Sequence, residues 1–126
     1  MLYNELTVGP PAQDDAGFRR VLAHEGSRIF GAFDGQMLAA MVTLHLLPNA
    51  VWEGRPYGLI ENVVTRHSCQ RRGFGRAAMQ AALDAAQAAR AHKVMLLTGQ
   101  KRDVVGFYEA LGFTGQDKHG MVIRYP

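Results

Sequence analysis

The stretch Gln70-Arg71-Arg72-Gly73-Phe74-Gly75-Arg76 has the residue types and spacing to hold phosphate. Glycines let the backbone come close to an anion and aim bare N–H groups at it. Arg71 and Arg72 add charge and forked donors that match phosphate oxygens. An apolar run, Leu59 to Thr65, precedes the stretch, and an alanine-rich segment, Ala77 to Ala91, follows it. The order is strand, glycine-rich basic turn, helix, so the positive end of a helix dipole adds to the attraction. A phosphate-bearing ligand at this helix start is the expectation, with a plain tight turn as the alternative.

Gly73-x-Gly75-x-x-Ala78 also fits a loose dinucleotide fingerprint. Such a turn follows its strand almost at once, whereas Arg66 to Gln70 intervene here. It also needs an acid near the end of the next strand for a ribose, and this strand ends Leu97-Thr98-Gly99-Gln100. A nicotinamide oxidoreductase is therefore the weaker reading. His45, in an apolar strand, reads as a satisfied histidine, and Cys69 as a small packing residue.

The elements that must position this turn follow from pattern. Residues 1–13 read as an extended start with a Gly9-Pro10-Pro11 breaker. Phe18, Val21 and Leu22 recur at helical spacing behind Asp14-Asp15, giving a helix from Asp15 to His24 that Gly26 ends. Arg28 to Phe33 is a strand, Asp34-Gly35 a hairpin signal, and Met37 to Leu47 the return strand. A loop carrying Trp52 leads to the strand Leu59–Thr65. Ala78, Met79, Ala82, Leu83 and Ala86 share one face of the next helix. Lys93 to Thr98 is a short buried strand, so a right-handed βαβ unit with two parallel strands is expected. Asp103 is a plausible cap for a short helix, Val104 to Leu111, that Gly112 ends. Phe113-Thr114 and Met121 to Tyr125 read as a final antiparallel pair.

The chain of 126 residues is the size of one ordinary domain, here a mixed α/β domain. Its parts are an N-terminal portion, 1–35, a core, 36–113, and a C-terminal hairpin, 113–126. One cysteine excludes an internal disulfide and fits a reducing compartment. Without a membrane-length apolar run or a signal pattern, a cytoplasmic location without membrane attachment is the default. Net charge is +3 and the pI about 9.4. The cations gather in the turn rather than in long runs, which favours a compact anion over nucleic acid.

Ile60 to Thr65, then QRRGFG, then Phe107-Tyr108-Glu109-Ala110-Leu111-Gly112-Phe113 resemble the GNAT acyltransferases. Gln70, Gly73 and Gly75 fill that family's acyl-CoA motif, and Phe107 to Phe113 fill its aromatic-Tyr-Glu-x-x-Gly-Phe signature. The resemblance covers about Gln36 to Phe113. It implies an α/β fold of the α+β type, with a central, mixed, mostly antiparallel sheet flanked by helices. Its middle strands splay apart around acyl-CoA.

The implied activity is N-acetyltransfer from acetyl-CoA, without a metal, to a primary amine that attacks directly in a ternary complex. Backbone N–H groups of Gln70, Arg71, Arg72, Gly73, Phe74, Gly75 and Arg76 would cradle the pyrophosphate. The strand edge at Val63, Val64 and Thr65 would pair with the pantetheine amides. A backbone N–H there could polarise the thioester carbonyl. Tyr108 matches the tyrosine that protonates the departing thiolate, and a phenol is still protonated at neutral pH. Glu61 could be the general base, or a structural or substrate-binding carboxylate. Lys101 stands where the family commonly has an asparagine, and it or Arg102 could reach a CoA phosphate or an acid on the acceptor. Arg71 stands where glycine is frequent, and only one helix precedes the hairpin. A homodimer is the family-level expectation. A non-catalytic acyl-CoA-sensing module is the rival reading.

Overall fold

The computed structural model describes residues 14–99 and 104–126. The chain forms two compact units, residues 1–96 and 97–126. In the first unit, α1 (Ala16–Ala23) leads into β1 (Ser27–Asp34) and β2 (Met37–Leu47), then β3 (Tyr57–Thr65), α2 (Phe74–Ala88) and β4 (Val94–Met95). The sheet order is β1-β2-β3-β4. β1 with β2 and β2 with β3 are antiparallel, while β3 with β4 is parallel. That is the mixed, mostly antiparallel sheet with its βαβ unit.

β1 and β2 close on each other where Asp34 faces Met37. Gly35 takes φ +62°, a conformation glycine adopts without penalty. Every residue of β2 from Ala39 to Leu44 is buried. Successive strand residues point to opposite faces, so both faces of this strand are covered. α2 lies against β1, β2 and β3 and buries Ala78, Met79, Ala82 and Ala86, the stripe expected from their spacing. Its small residues allow a close approach to the sheet. Met41 and Val64 form a further cluster against which Phe18 and Leu38 pack.

The helix ends are explained by their caps. α1 opens on Asp15, whose carboxylate accepts from Arg19 Nε and Nη2 at 3.1 and 3.0 Å. α2 ends at Ala88 rather than Ala91, because Arg90 adopts φ +63°. Arg90 N–H then donates to Gln87 O at 2.9 Å and Ala91 N–H to Ala86 O at 3.0 Å, the two bonds of a Schellman motif. Arg55 donates to the carbonyls of Arg90 and Ala91 at 2.9 and 3.1 Å, completing the cap. With arginine rather than glycine in the left-handed position, no sequence signal marked this stop.

The loops that precede β3 and β4 meet at the sheet end remote from the glycine turn. Trp52 stacks on His92 with ring centroids 5.0 Å apart and planes 15° apart. Asn49 Nδ2 lies 3.1 Å from His92 Nε2. Burial, then the charges of Lys93 and Arg55, lower the His92 pKa from its usual 6.5. Trp52, Glu53 and Gly54 all have positive φ, a left-handed turn that holds the indole 63% exposed.

β4 is shorter than the expected 93–98 strand, since only Gly58↔Val94 and Leu59↔Met95 pair. In the second unit, α3 (Val105–Ala110) is the expected short helix. Gly112, at φ +102°, and Phe113 close it with a second Schellman motif, donating to Glu109 O and Tyr108 O at 2.9 and 3.1 Å. The expected final antiparallel pair does not form: residues 113–126 carry no strand. Met121, Ile123 and Tyr125 alternate as a strand would, yet they are 90%, 79% and 85% exposed. Alternation without a hydrogen-bonded ladder does not make a strand. Gly120 packs so closely on Leu97 that a Cβ there would collide with that side chain.

Candidate functional site

The site begins with a break in pairing. The parallel ladder stops at Leu59↔Met95, but β3 runs on to Thr65. Among the described residues, positions 60–65 are therefore laddered on the β2 side alone. On that side Thr43 faces Glu61 and Met41 faces Val64, so Asn62 and Val63 together oppose Val42. This is a β-bulge, and Asn62 carries it at φ +53°. A bulge bends its strand and raises the local twist. Asparagine is among the few residues that tolerate this conformation, so Asn62 within an apolar run was a readable but unread signal.

After Thr65 the chain is tied back to the sheet. Arg66 N–H donates to Ala39 O at 2.7 Å, and its Nε to Leu38 O at 3.1 Å. A single 3-10 turn, His67–Cys69, buries Cys69 completely, which fits a packing role for that thiol. Gln70 turns back on His67, with its N–H 3.5 Å from the His67 carbonyl and Nε2 3.4 Å from His67 Nδ1. Arg71 then takes φ +62° and Gly73 φ +88°. Arginine thus occupies a left-handed position where glycine would be unstrained.

Gly73 is the N-cap of α2, and no side chain caps this end of the helix. The first N–H groups of a helix have no intrahelical acceptor, so those after Gly73 point out of the helix start. A Cβ added at Gly73 would meet nothing within 4 Å. The turn is open space lined by backbone donors at the positive end of a helix of 15 residues. Arg71, Arg72 and Arg76 are all exposed around it. This donor set suits a pyrophosphate, and the unladdered edge of β3 suits the amides of pantetheine.

Of the other expected site residues, Val63 and Thr65 are half-buried and Val64 is buried on β3. Glu61 is exposed on the same strand, one residue before the bulge. Tyr108 lies on α3 in the second unit, half-buried. Its ring makes edge contacts with Phe107 and Phe113 at centroid distances of 5.1 and 6.0 Å. The Tyr108–Phe113 contact joins the two ends of the Schellman motif, which accounts for the spacing of the Tyr-Glu-x-x-Gly-Phe string. Lys101 and Arg102 lie outside the described residues. His45, half-buried, has Nδ1 2.6 Å from Ser27 Oγ, so it is a satisfied histidine.

The family model for the acetyltransferase (GNAT) family matches residues 1–113. No curated protein matches the chain. Among solved structures, a protein of Agrobacterium tumefaciens str. C58, assigned as an acetyltransferase, is 40% identical with a TM-score of 0.89. That match covers 98% of this chain and 89% of the other. An acetyltransferase of Trypanosoma brucei is 26% identical at a TM-score of 0.79, covering 99% and 87% of the two chains. Glucosamine-6-phosphate N-acetyltransferase of Arabidopsis thaliana, 20% identical, shares the fold at a TM-score of 0.80 over 98% and 86%. With its broken β3–β4 ladder, its bulge at Asn62 and its glycine turn at the start of α2, the chain belongs to the acetyltransferase (GNAT) family.

Proposed function

We propose that the protein transfers an acetyl group from acetyl-CoA to a primary amine. One observation carries this reading: β3 continues past its last parallel partner and leads into a turn whose left-handed Gly73 opens α2. Pantetheine is a short pseudo-peptide, and a strand edge is what a peptide-like ligand pairs with. In this reading the edge at Val63, Val64 and Thr65 receives the pantetheine amides. The N–H groups after Gly73 receive the pyrophosphate, and the arginines of the turn balance its charge.

Acetyl-CoA supplies an acyl group activated as a thioester. Glu61 takes a proton from the ammonium, directly or through water, and so frees the nitrogen lone pair. The C–N bond forms as the C–S bond breaks, and the Tyr108 hydroxyl donates its proton to the sulfur. The second proton shed by the nitrogen restores the phenol through solvent, and Glu61 releases its proton to bulk water. A phenol carries a proton to give and a carboxylate has lone pairs to accept one. The buried thiol of Cys69 needs no part in chemistry. The fold does not select the acceptor, since function is set by the site rather than the scaffold.

A thermal-shift screen with acetyl-CoA, CoA, NAD and NADP tests the donor, followed by a thiol-release assay against a panel of amines. Stabilisation by acetyl-CoA and CoA alone, with thiol release, is expected. Stabilisation by NAD or NADP instead would overturn the reading. CoA binding without turnover against any amine would assign a binding module.

A further inference from the structure

Arg72 is already engaged. Its Nη1 donates to Asp34 Oδ2 at 3.0 Å, and its Cζ lies 5.1 Å from the centroid of the Phe74 ring. Asp34 belongs to the hairpin, where it closes β1 opposite Met37 and is followed by the left-handed Gly35. A carboxylate from the hairpin thus reaches the glycine turn. Both side chains remain accessible, at 51% for Arg72 and 40% for Asp34, so an incoming anion can reach the same guanidinium. An ion pair this exposed contributes little to stability. Arg71 and Arg76, by contrast, have no acidic partner among the described residues.

A guanidinium offers five N–H donors, and carboxylate and phosphate compete for the same forked edges. The Asp34 charge also lies well within one screening length of any anion on Arg72. We propose that Asp34 sets the affinity of the turn: it is an internal anion that holds Arg72 while the turn is empty, yields it to a CoA phosphate, and reclaims it as CoA departs. The pair makes CoA bind less tightly than the turn alone would allow, and so speeds product release, a step that limits many enzymes. This proposal rests on the acyl-CoA reading. The competing role, in which Asp34 aims Arg72 at the phosphate, has the opposite sign, because losing an aiming group weakens binding.

The test is titration calorimetry with CoA on the wild type, Asp34→Ser, Arg72→Ala and the double variant. Serine is preferred to asparagine because an Asn-Gly step deamidates back to an acid. Asp34→Ser is expected to tighten CoA binding about two- to fivefold, the range an exposed pair allows, and to slow CoA dissociation correspondingly in stopped flow. With Arg72→Ala in place, most of that gain should vanish. Weaker or unchanged binding by Asp34→Ser would overturn the proposal, as would an equal gain without Arg72. In each of those cases the wild type still binds CoA and the acyl-CoA reading stands. A wild type that binds no CoA would remove both.

Discussion

Tyr108 is held from both sides of its backbone and ring. Its carbonyl accepts from Leu111 and Phe113 N–H at 3.0 and 3.1 Å, and its ring is braced by Phe107 and Phe113. A hydroxyl carried on so constrained a ring is suited to proton transfer, because little motion must be frozen when the substrate arrives. Removing it should act on the chemical step. Tyr108→Phe is expected to lower turnover by about a hundredfold, at the low end for a general acid. CoA affinity should stay within about twofold, because an interaction made only in the transition state leaves ground-state binding nearly intact. Steady-state kinetics with calorimetry checks this, and an unchanged turnover removes Tyr108 from the mechanism. At this scale the sequence is informative about conformation: Gly73 and Gly112 take left-handed positions, and the Phe107–Phe113 string spans the closing turn of α3. In sequence Asp34 shows only a hairpin signal, because a salt bridge between distant positions leaves no local pattern.

At the scale of elements, the helix start and the sheet decide the site. Gly73→Val should weaken CoA binding by placing a branched side chain among the N–H donors. It should also cost roughly 1–2 kcal/mol for a side chain forced into the left-handed region. With nothing near the added Cβ, no clash contributes, so the stability loss is conformational. Calorimetry and denaturant unfolding separate the two effects. Met79 is fully buried where α2 meets the sheet. Met79→Ala is expected to lose about 2–5 kcal/mol, as buried truncations do, and urea unfolding measures it. β2 and α2 are legible from pattern because each buries a regular run or face; α1 is legible from spacing although Phe18 and Val21 are only half-buried and Leu22 is exposed. β4 was overextended because an apolar run does not reveal where its partner strand diverges. The end of the parallel ladder after Leu59 and the arginine-closed end of α2 depend on backbone conformation that side-chain pattern does not encode, whereas the bulge leaves a trace in Asn62.

For the whole molecule, the stability expected to vary with pH comes from the loop pair remote from the glycine turn. His92 has its pKa lowered by burial and by Lys93 and Arg55, so the folded state takes up a proton less readily than the unfolded chain. Its contribution to stability is full above the unfolded value of about 6.5 and is lost as pH falls below that towards the folded pKa. Thermal unfolding from pH 8 to 5 should show a steeper fall below 6.5 for the wild type than for His92→Gln. Equal slopes would remove His92 as the source. The C-terminal segment differs from its pattern, since Met121 to Tyr125 has strand alternation but no ladder. Trp52 is the chain's single tryptophan, and it stacks on His92. A protonated imidazole quenches an indole it touches, so the intrinsic emission of the native protein carries an optical record of the charge on one histidine. That signal needs no label and should dim before the fold is lost.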